Sequence, residues 1–262
     1  MAEFLSTQGL CHSFADGSLG LDSVDFHIGE GEFVLLAGRN GSGKTLLARH
    51  LAGLARPSRG LVSFRGRPLK EAMPELRRAL GFVFQDTDSQ ILGQTVAEDV
   101  AFGPSNLGLK WEEIEQRSRR SLGAANLAGK EDRRPETLSG GEKRRLAIAG
   151  ALAMEPECLI LDEPFANLDL DSVNQVSAIC GTLKERGIAL LVVTHELEKV
   201  FSLADRLVVL EGGRKVFDGN PHQAEPEFFS LHGLACPYEG YWPWSVRRSP
   251  PSTNTPGHPG RS

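Results

Sequence analysis

Two periodicities divide the chain. In "EFVLLAG" (Glu32 to Gly38), "ECLILDE" (Glu157 to Glu163) and "GIALLVVTH" (Gly187 to His195) the apolar residues run almost unbroken, as they do in strands buried on both faces of a parallel sheet. "KTLLARHLAGL", from Lys44, carries its apolar residues at helical spacing and meets Gly53 near its end, so a strand, a glycine-rich loop and a helix follow one another. Leu5 to Ile28 reads as two short strands joined by the turn "FADGS". "GLVSFRGRPL" reads as a hairpin, "LGFVFQ" as another short strand, and "RLVVLEGGRKVFDG" as a terminal hairpin with a Gly-Gly turn. From about residue 86 to 156 the period changes: "TVAEDVAF", "KWEEIEQRSRRSLGAA" and "SGGEKRRLAIAGALAM" predict helices, the first of them stopped at Gly103-Pro104. The expectation is an α/β fold with antiparallel strands near its start and a helical insert in a sheet-based domain.

Composition narrows the classes. A chain of 262 residues suits one large α/β domain or two small ones, and 40% hydrophobic with 24% charged residues is the make-up of a globular core. A net charge of -5 and a pI near 5.8 argue against a nucleic-acid partner. The longest apolar runs fall well short of the ~20 residues that cross a bilayer, so any membrane span is expected from another chain. "MAEFLSTQGL" has neither the basic nor the apolar region of a secretory signal. Cys11, Cys158, Cys180 and Cys236 are scattered without a C-x-x-C and read as reduced thiols. Beyond about residue 230 an aromatic group (Tyr238, Tyr241, Trp242, Trp244) precedes "RRSPPSTNTPGHPGRS", which reads as a disordered tail; the aromatic residues would either pack on the parent domain or anchor an interface.

The candidate chemistry begins at "GRNGSGKT", which matches G-x-x-x-x-G-K-[ST] between a strand and a helix. Gly38, Asn40, Gly41, Ser42 and Gly43 let backbone amides wrap phosphate oxygens, and Lys44, Thr45 and Leu46 open a helix whose dipole favours the anion. Lys44 would reach the β- and γ-phosphates and Thr45 would place its hydroxyl on Mg²⁺. "CLILDE" delivers Asp162 and Glu163 at the carboxyl end of a strand. Alone, that is as well read as a solvated strand end; beside a phosphate loop, Asp162 suits Mg²⁺ and Glu163 suits a base for the attacking water. His195 ends another strand in the same manner, and is either structural or a γ-phosphate contact.

"TLSGGEKRRLAIAGALAMEPECLILDEPFANLDL" resembles the signature, Walker B and D-loop segment of ATP-binding cassette (ABC) ATPases, and the resemblance extends over most of residues 4 to 220. It implies a P-loop NTPase, RecA-like core with an antiparallel β-subdomain (about 1–85 and 157–220 together), an inserted α-helical subdomain (about 86–156), and an ABC domain ending near residue 230. It also implies ATP and Mg²⁺ as ligands. By position, Phe14 is similar to the aromatic that stacks on adenine, and Gln85 to the Q-loop glutamine that senses Mg²⁺. Ser139, Gly140 and Gly141 resemble the signature that caps ATP held by a second subunit, Asp169 lies in the D-loop, and His195 matches the switch histidine. The family pattern is departed from at Glu142, where Gln is common, and at Phe14, where Tyr is common. Glu142 would be tolerable if it faced Arg144, Arg145 or solvent.

One cassette without a heptad or zinc insert favours a transporter engine over a soluble ABC machine. "FVFQDTDSQILGQTVAEDVAFGPSNLGL" (Phe82 to Leu109) looks like the Q-loop segment of energy-coupling factor (ECF) ATPases, which drive cobalt, nickel and vitamin import; Asp86 and Thr87 depart from it. The resemblance implies integral membrane subunits, a second ABC ATPase subunit (identical or a paralogue), and a peripheral place on the cytoplasmic face of the membrane. Another ABC importer and a soluble ABC regulator are the alternatives. Local capping explains "TVAEDVAFG" but not the acidic, amide-rich turn before it, which would be the docking groove for a membrane helix.

Overall fold

The computed structural model describes residues 3–238. Its centre is a six-stranded sheet in the order β10-β9-β3-β8-β7-β6. Strands β3 (Phe33–Ala37), β6 (Leu80–Val83), β7 (Cys158–Asp162), β8 (Ala189–Val193) and β9 (Arg206–Glu211) are parallel, and β10 (Arg214–Gly219) closes one edge antiparallel to β9. The unbroken apolar runs follow from burial on both faces. Phe33, Leu35 and Ala37 of β3 pack toward α5 (Gly140–Leu152) and α6 (Leu170–Glu185), whereas Val34 and Leu36 join the core on the other side. That second core contains Leu47, Ala48 and Leu51 of α1 (Lys44–Leu51) and the inner face of a four-stranded antiparallel sheet, β2-β1-β4-β5. Its strands are β1 (Glu3–Ser13), β2 (Leu19–Gly29), β4 (Arg59–Phe64) and β5 (Arg67–Pro68). The α/β architecture is therefore the expected one.

Helices α3 (Val96–Asn106), α4 (Trp111–Ala124) and α5 enclose a smaller core around Val96, Val100, Leu122, Leu146 and Ala149. Here the chain departs from one expectation. Gly103-Pro104 does not stop α3, which runs through Pro104 to Asn106 and is followed by Gly108, where φ is +70°. The helix tolerates Pro104 so near its end because few turns remain to be disturbed.

Helices α2 (Leu69–Ala79) and α7 (Pro226–Leu231) have no counterpart in the sequence reading. In α2 the buried residues Leu69, Ala72, Leu76 and Ala79 lie at helical spacing, but Pro74 breaks the run. In α7 Phe229 is fully buried against Phe201 and Tyr238. Tyr238 thus packs on its own domain, its hydroxyl donating to the Pro221 carbonyl at 3.2 Å. Tyr241, Trp242, Trp244 and the Pro-rich tail lie outside the described residues.

Candidate functional site

Four neighbouring parallel strands, β3, β8, β7 and β6, release their carboxyl ends along one rim. The glycine loop follows β3, His195 follows β8, Glu163 follows β7 and Gln85 follows β6. Residues as far apart in sequence as Gly38 and His195 are thereby brought to one rim by sheet order, as expected where ligands bind at strand ends.

Lys44 is buried, and its ammonium donates to the carbonyls of Gly38 at 2.7 Å and Arg39 at 3.1 Å. Burial pulls its pKa below the ordinary lysine range, while Glu163 and Asp162 oppose that shift. Thr45 Oγ1 donates to Asp162 Oδ1 at 2.9 Å. Burial raises the Asp162 carboxyl above its usual range, and the Thr45 bond pulls the other way. Glu163 sits at φ 47° with its amide donating to the Val193 carbonyl at 2.8 Å. Its buried carboxylate lies 3.9 Å from Lys44 Nζ and 3.0 Å from His195 Nδ1. A non-glycine residue at positive φ costs backbone energy, and here the turn aims a carboxylate between a lysine and a histidine.

The glycine loop is wedged from behind. A Cβ on Gly43, whose φ is +101°, would stand 2.8 Å from the Gly20 carbonyl oxygen, and one on Gly213 would meet the same oxygen at 2.8 Å. Backbone bonds close this junction: Gly213 donates to the Ser42 carbonyl at 3.1 Å, and Asp22 donates to the Gly213 carbonyl at 2.9 Å. Ser42 Oγ is buried with no partner among the described residues, which suits an incoming phosphate oxygen. With Lys44 and the Thr45–Asp162 pair beside it, the residues present fit a triphosphate with a divalent cation.

Thr45, Gln85, Asp162, Gly140, Arg144 and Asn167 line a cleft of about 600 Å³. Ser139, Glu142 and Asp169 line a separate groove with Lys130 and Arg145, so Ser139 and Asp169 do not line the cleft of Thr45, Gln85 and Asp162 in the same chain. Ser139 is the N-cap of α5 in a reciprocal capping box with Glu142, and Gly141 packs against Ser172 of α6. Asp169 caps α6 by accepting from the Ser172 amide at 2.8 Å, a bond that holds its carboxyl below the usual range. Phe14 stands at the turn after β1, half-exposed.

Glu142 pairs with Lys130, which together with the Ser139 amide lowers its pKa to about 2; Arg145 lines the same groove and feels the Glu142 charge without pairing with it. Arg144 and Arg145 are both buried and bind backbone. Arg144 donates to the carbonyls of Phe84 at 2.8 Å and Gln85 at 2.9 Å, and Arg145 donates to the Ala125 carbonyl at 3.0 Å. Sequence reasoning missed Arg144 as the clamp on the Gln85 segment, although the apolar run after "KRR" leaves α5 little solvent face. Much of the polar turn also has local partners. The Gln90 side chain accepts from the Phe84 amide at 2.9 Å and donates to the Phe82 carbonyl at 3.0 Å, extending the edge of β6. Asp99 receives the amides of Leu92 and Gly93 at 2.7 and 3.0 Å, and Asp88 pairs with Lys143 at 2.6 Å.

A family model described as "ABC transporter" matches residues 21–166. The chain belongs to the ABC transporter family. It is 40% identical over 222 residues, 84% of this chain and 80% of the relative, to the energy-coupling factor transporter ATP-binding protein EcfA of Methanocaldococcus jannaschii. The EcfA of Methanococcus maripaludis is 39% identical with the same coverage of 84% and 80%. Among solved structures, CbiO1 from Clostridium perfringens, described as part of the ABC transporter complex CbiONQ, superposes with a TM-score of 0.78 at 33% identity, covering 85% of this chain and 90% of that one. The ATP-binding cassette MJ0796, solved as a dimer in a post-hydrolysis state with ADP and Pi, gives 0.76 at 27% identity over 83% and 98%. The cassette is thus an ATP-binding ABC ATPase of the energy-coupling factor and CbiO kind.

Proposed function

We propose that this ABC ATPase is the energy-coupling subunit of an ECF-class importer, driving uptake of a transition-metal ion (cobalt or nickel) or a vitamin. It would sit peripherally on the cytoplasmic face of the membrane, bound to integral membrane subunits, and act in pairs with an identical or paralogous cassette. The observation that carries the catalytic half is Glu163, a buried carboxylate held between Lys44 and His195 at the strand rim. The EcfA and CbiO relatives support the transport half.

The reaction is in-line attack of water on the γ-phosphoryl group, where little covalent help is needed and positioning dominates. Glu163 orients the water and takes its proton, and His195 keeps the carboxylate turned toward the rim. Lys44 and the loop amides hold the phosphates. Thr45, Asp162 and Gln85 would hold Mg²⁺, which supplies neutralisation of phosphate charge when bound. Ser139, Gly140 and Gly141 offer a capped helix N-terminus to an anion from outside the chain. Because Ser139 lines a groove separate from the cleft that holds Thr45, Gln85 and Asp162 in the same molecule, two chains would complete one another's sites, and ATP would hold the pair together. Phe14 would stack on the base.

Leu92 and Phe102, 64% and 51% exposed around α3, are the apolar part of the surface proposed to receive a helix of the membrane subunits. The test is Glu163→Gln, which keeps shape and removes the base. ATP binding should persist, hydrolysis should fall by at least ~100-fold, and an ATP-dependent dimer should accumulate that copurifies with an integral membrane protein. Rapid turnover by this variant removes the base assignment, and a monomer at saturating ATP removes the paired mechanism.

A further inference from the structure

Phe14 is held on two sides. Its ring lies against Gly20 and Leu46, closely enough that a Cβ on Gly20 would stand 2.7 Å from Phe14 Cε2 and 2.5 Å from Leu46 Cδ2. The edge of the ring meets the His12 imidazole, with centroids 5.0 Å apart and planes at 73°. His12 in turn shares a 3.1 Å hydrogen bond, through Nδ1, with Nε2 of His50. His50 is fully buried on α1, the helix that opens with Lys44 and Thr45. Burial first, and then His12, lower its pKa to about 4, so it is a neutral, fixed partner near neutral pH. An ordinary core needs no histidine at this position, where a leucine would fill the space without a polar atom to satisfy.

We propose that His12, anchored by His50, is the positioning residue that fixes the Phe14 ring as a base platform and ties it to the phosphate-binding helix. This rests on the reading of Phe14 as the stacking residue. A free phenyl ring at a half-exposed turn samples several rotamers, and ordering it on binding costs free energy. A ring already propped at its edge by an imidazole and seated on Gly20 presents one face in advance. His50 acts only through His12, since its own ring is buried beneath it.

The experiment compares ATP with inorganic triphosphate, which lacks the base, in direct binding to the full-length protein. His12→Ala should weaken ATP binding about tenfold, on the order of one lost stacking contact, while triphosphate affinity stays within about twofold. In steady-state assays KM should rise with kcat kept. His50→Gln should act in the same direction, and the His12→Ala, His50→Gln double variant should be no worse than His12→Ala alone, because one residue works through the other. His12→Gln, which retains a hydrogen bond to His50 but not the imidazole edge, should lie between wild type and His12→Ala, and it serves if the alanine variant folds poorly. Equal losses for ATP and triphosphate, or no loss for either, overturn the proposal. Phe14→Ala tests the underlying reading separately: if it spares the preference for ATP over triphosphate, the platform itself is refuted. If Phe14→Ala abolishes that preference and His12→Ala does not, only the role of His12 falls.

Discussion

Glu142 puts a negative charge on the helix that is proposed to receive a partner's ATP, and Lys130 cancels it. With its pKa lowered to about 2, the glutamate stays ionised at any working pH. Lys130→Ala should therefore leave an uncompensated carboxylate facing the incoming phosphates and lower the ATPase rate by a few-fold, and adding Glu142→Gln should restore it. A steady-state assay of the single and double variants checks this; equal activity of Lys130→Ala and wild type refutes it. His50 gives a second residue-scale expectation. The native state keeps it neutral down to about pH 4, whereas the unfolded chain protonates it near pH 6.5. The unfolded state then binds more protons in that interval, so stability falls as pH drops from about 6.5 toward 4. Glu142, with a depressed native pKa, contributes stability that is present above about 4.5 and lost as pH falls toward 2. Loss of melting temperature between pH 7 and 5 should be reduced in His50→Gln, which removes the titrating ring; an unchanged loss assigns it elsewhere.

The elements that carry the site begin at side-chain caps: Ser139 on α5, Thr95 on α3 and Asp169 on α6. Asp169→Ala should cost about 1 kcal/mol of stability, a shift of about 2–4 °C in Tm for a domain of this size, measurable by thermal melting without nucleotide. Whereas Asp169 entered the sequence reading only as a D-loop residue, the starts of α3 and α5 were legible because caps and apolar periods are local. The rim residues were legible for the same reason: each follows a buried strand, and strand order brings them together. What was not legible depended on contacts far along the chain. The buried positions of α2 have helical spacing, but Pro74 reads locally as a breaker. At Gly103-Pro104 the same rule pointed to a stop that α3 passes over, since a proline in the last turn has little helix left to disrupt. Gln90 looked like a partner-binding residue because nothing in the sequence says that the edge of β6 lacks a strand beyond it. Arg144 was read only as a possible neighbour of Glu142 for the corresponding reason, the Phe84 and Gln85 carbonyls being about sixty residues away.

At the scale of the whole molecule, the phosphate-binding loop is a joint product of distant segments. β2, the loop after β3 and the turn between β9 and β10 meet backbone to backbone at Gly20, Gly43 and Gly213. Gly213→Val should lower ATP affinity although residue 213 is placed behind the loop, because a side chain there must displace either Gly20 or the loop at a cost of about 1–3 kcal/mol. Isothermal titration with ATP checks it, and unaltered affinity would mean the loop keeps its shape unaided. The junction also imposes a timetable on synthesis. A ribosome makes residues 38–45 well before residue 213, yet the Ser42 carbonyl acquires its backbone partner only when residue 213 has emerged. The nascent chain therefore carries, throughout the translation of residues 46–212, a nucleotide loop whose rear support does not yet exist. The finished support arrives only after every parallel strand of the central sheet has been made.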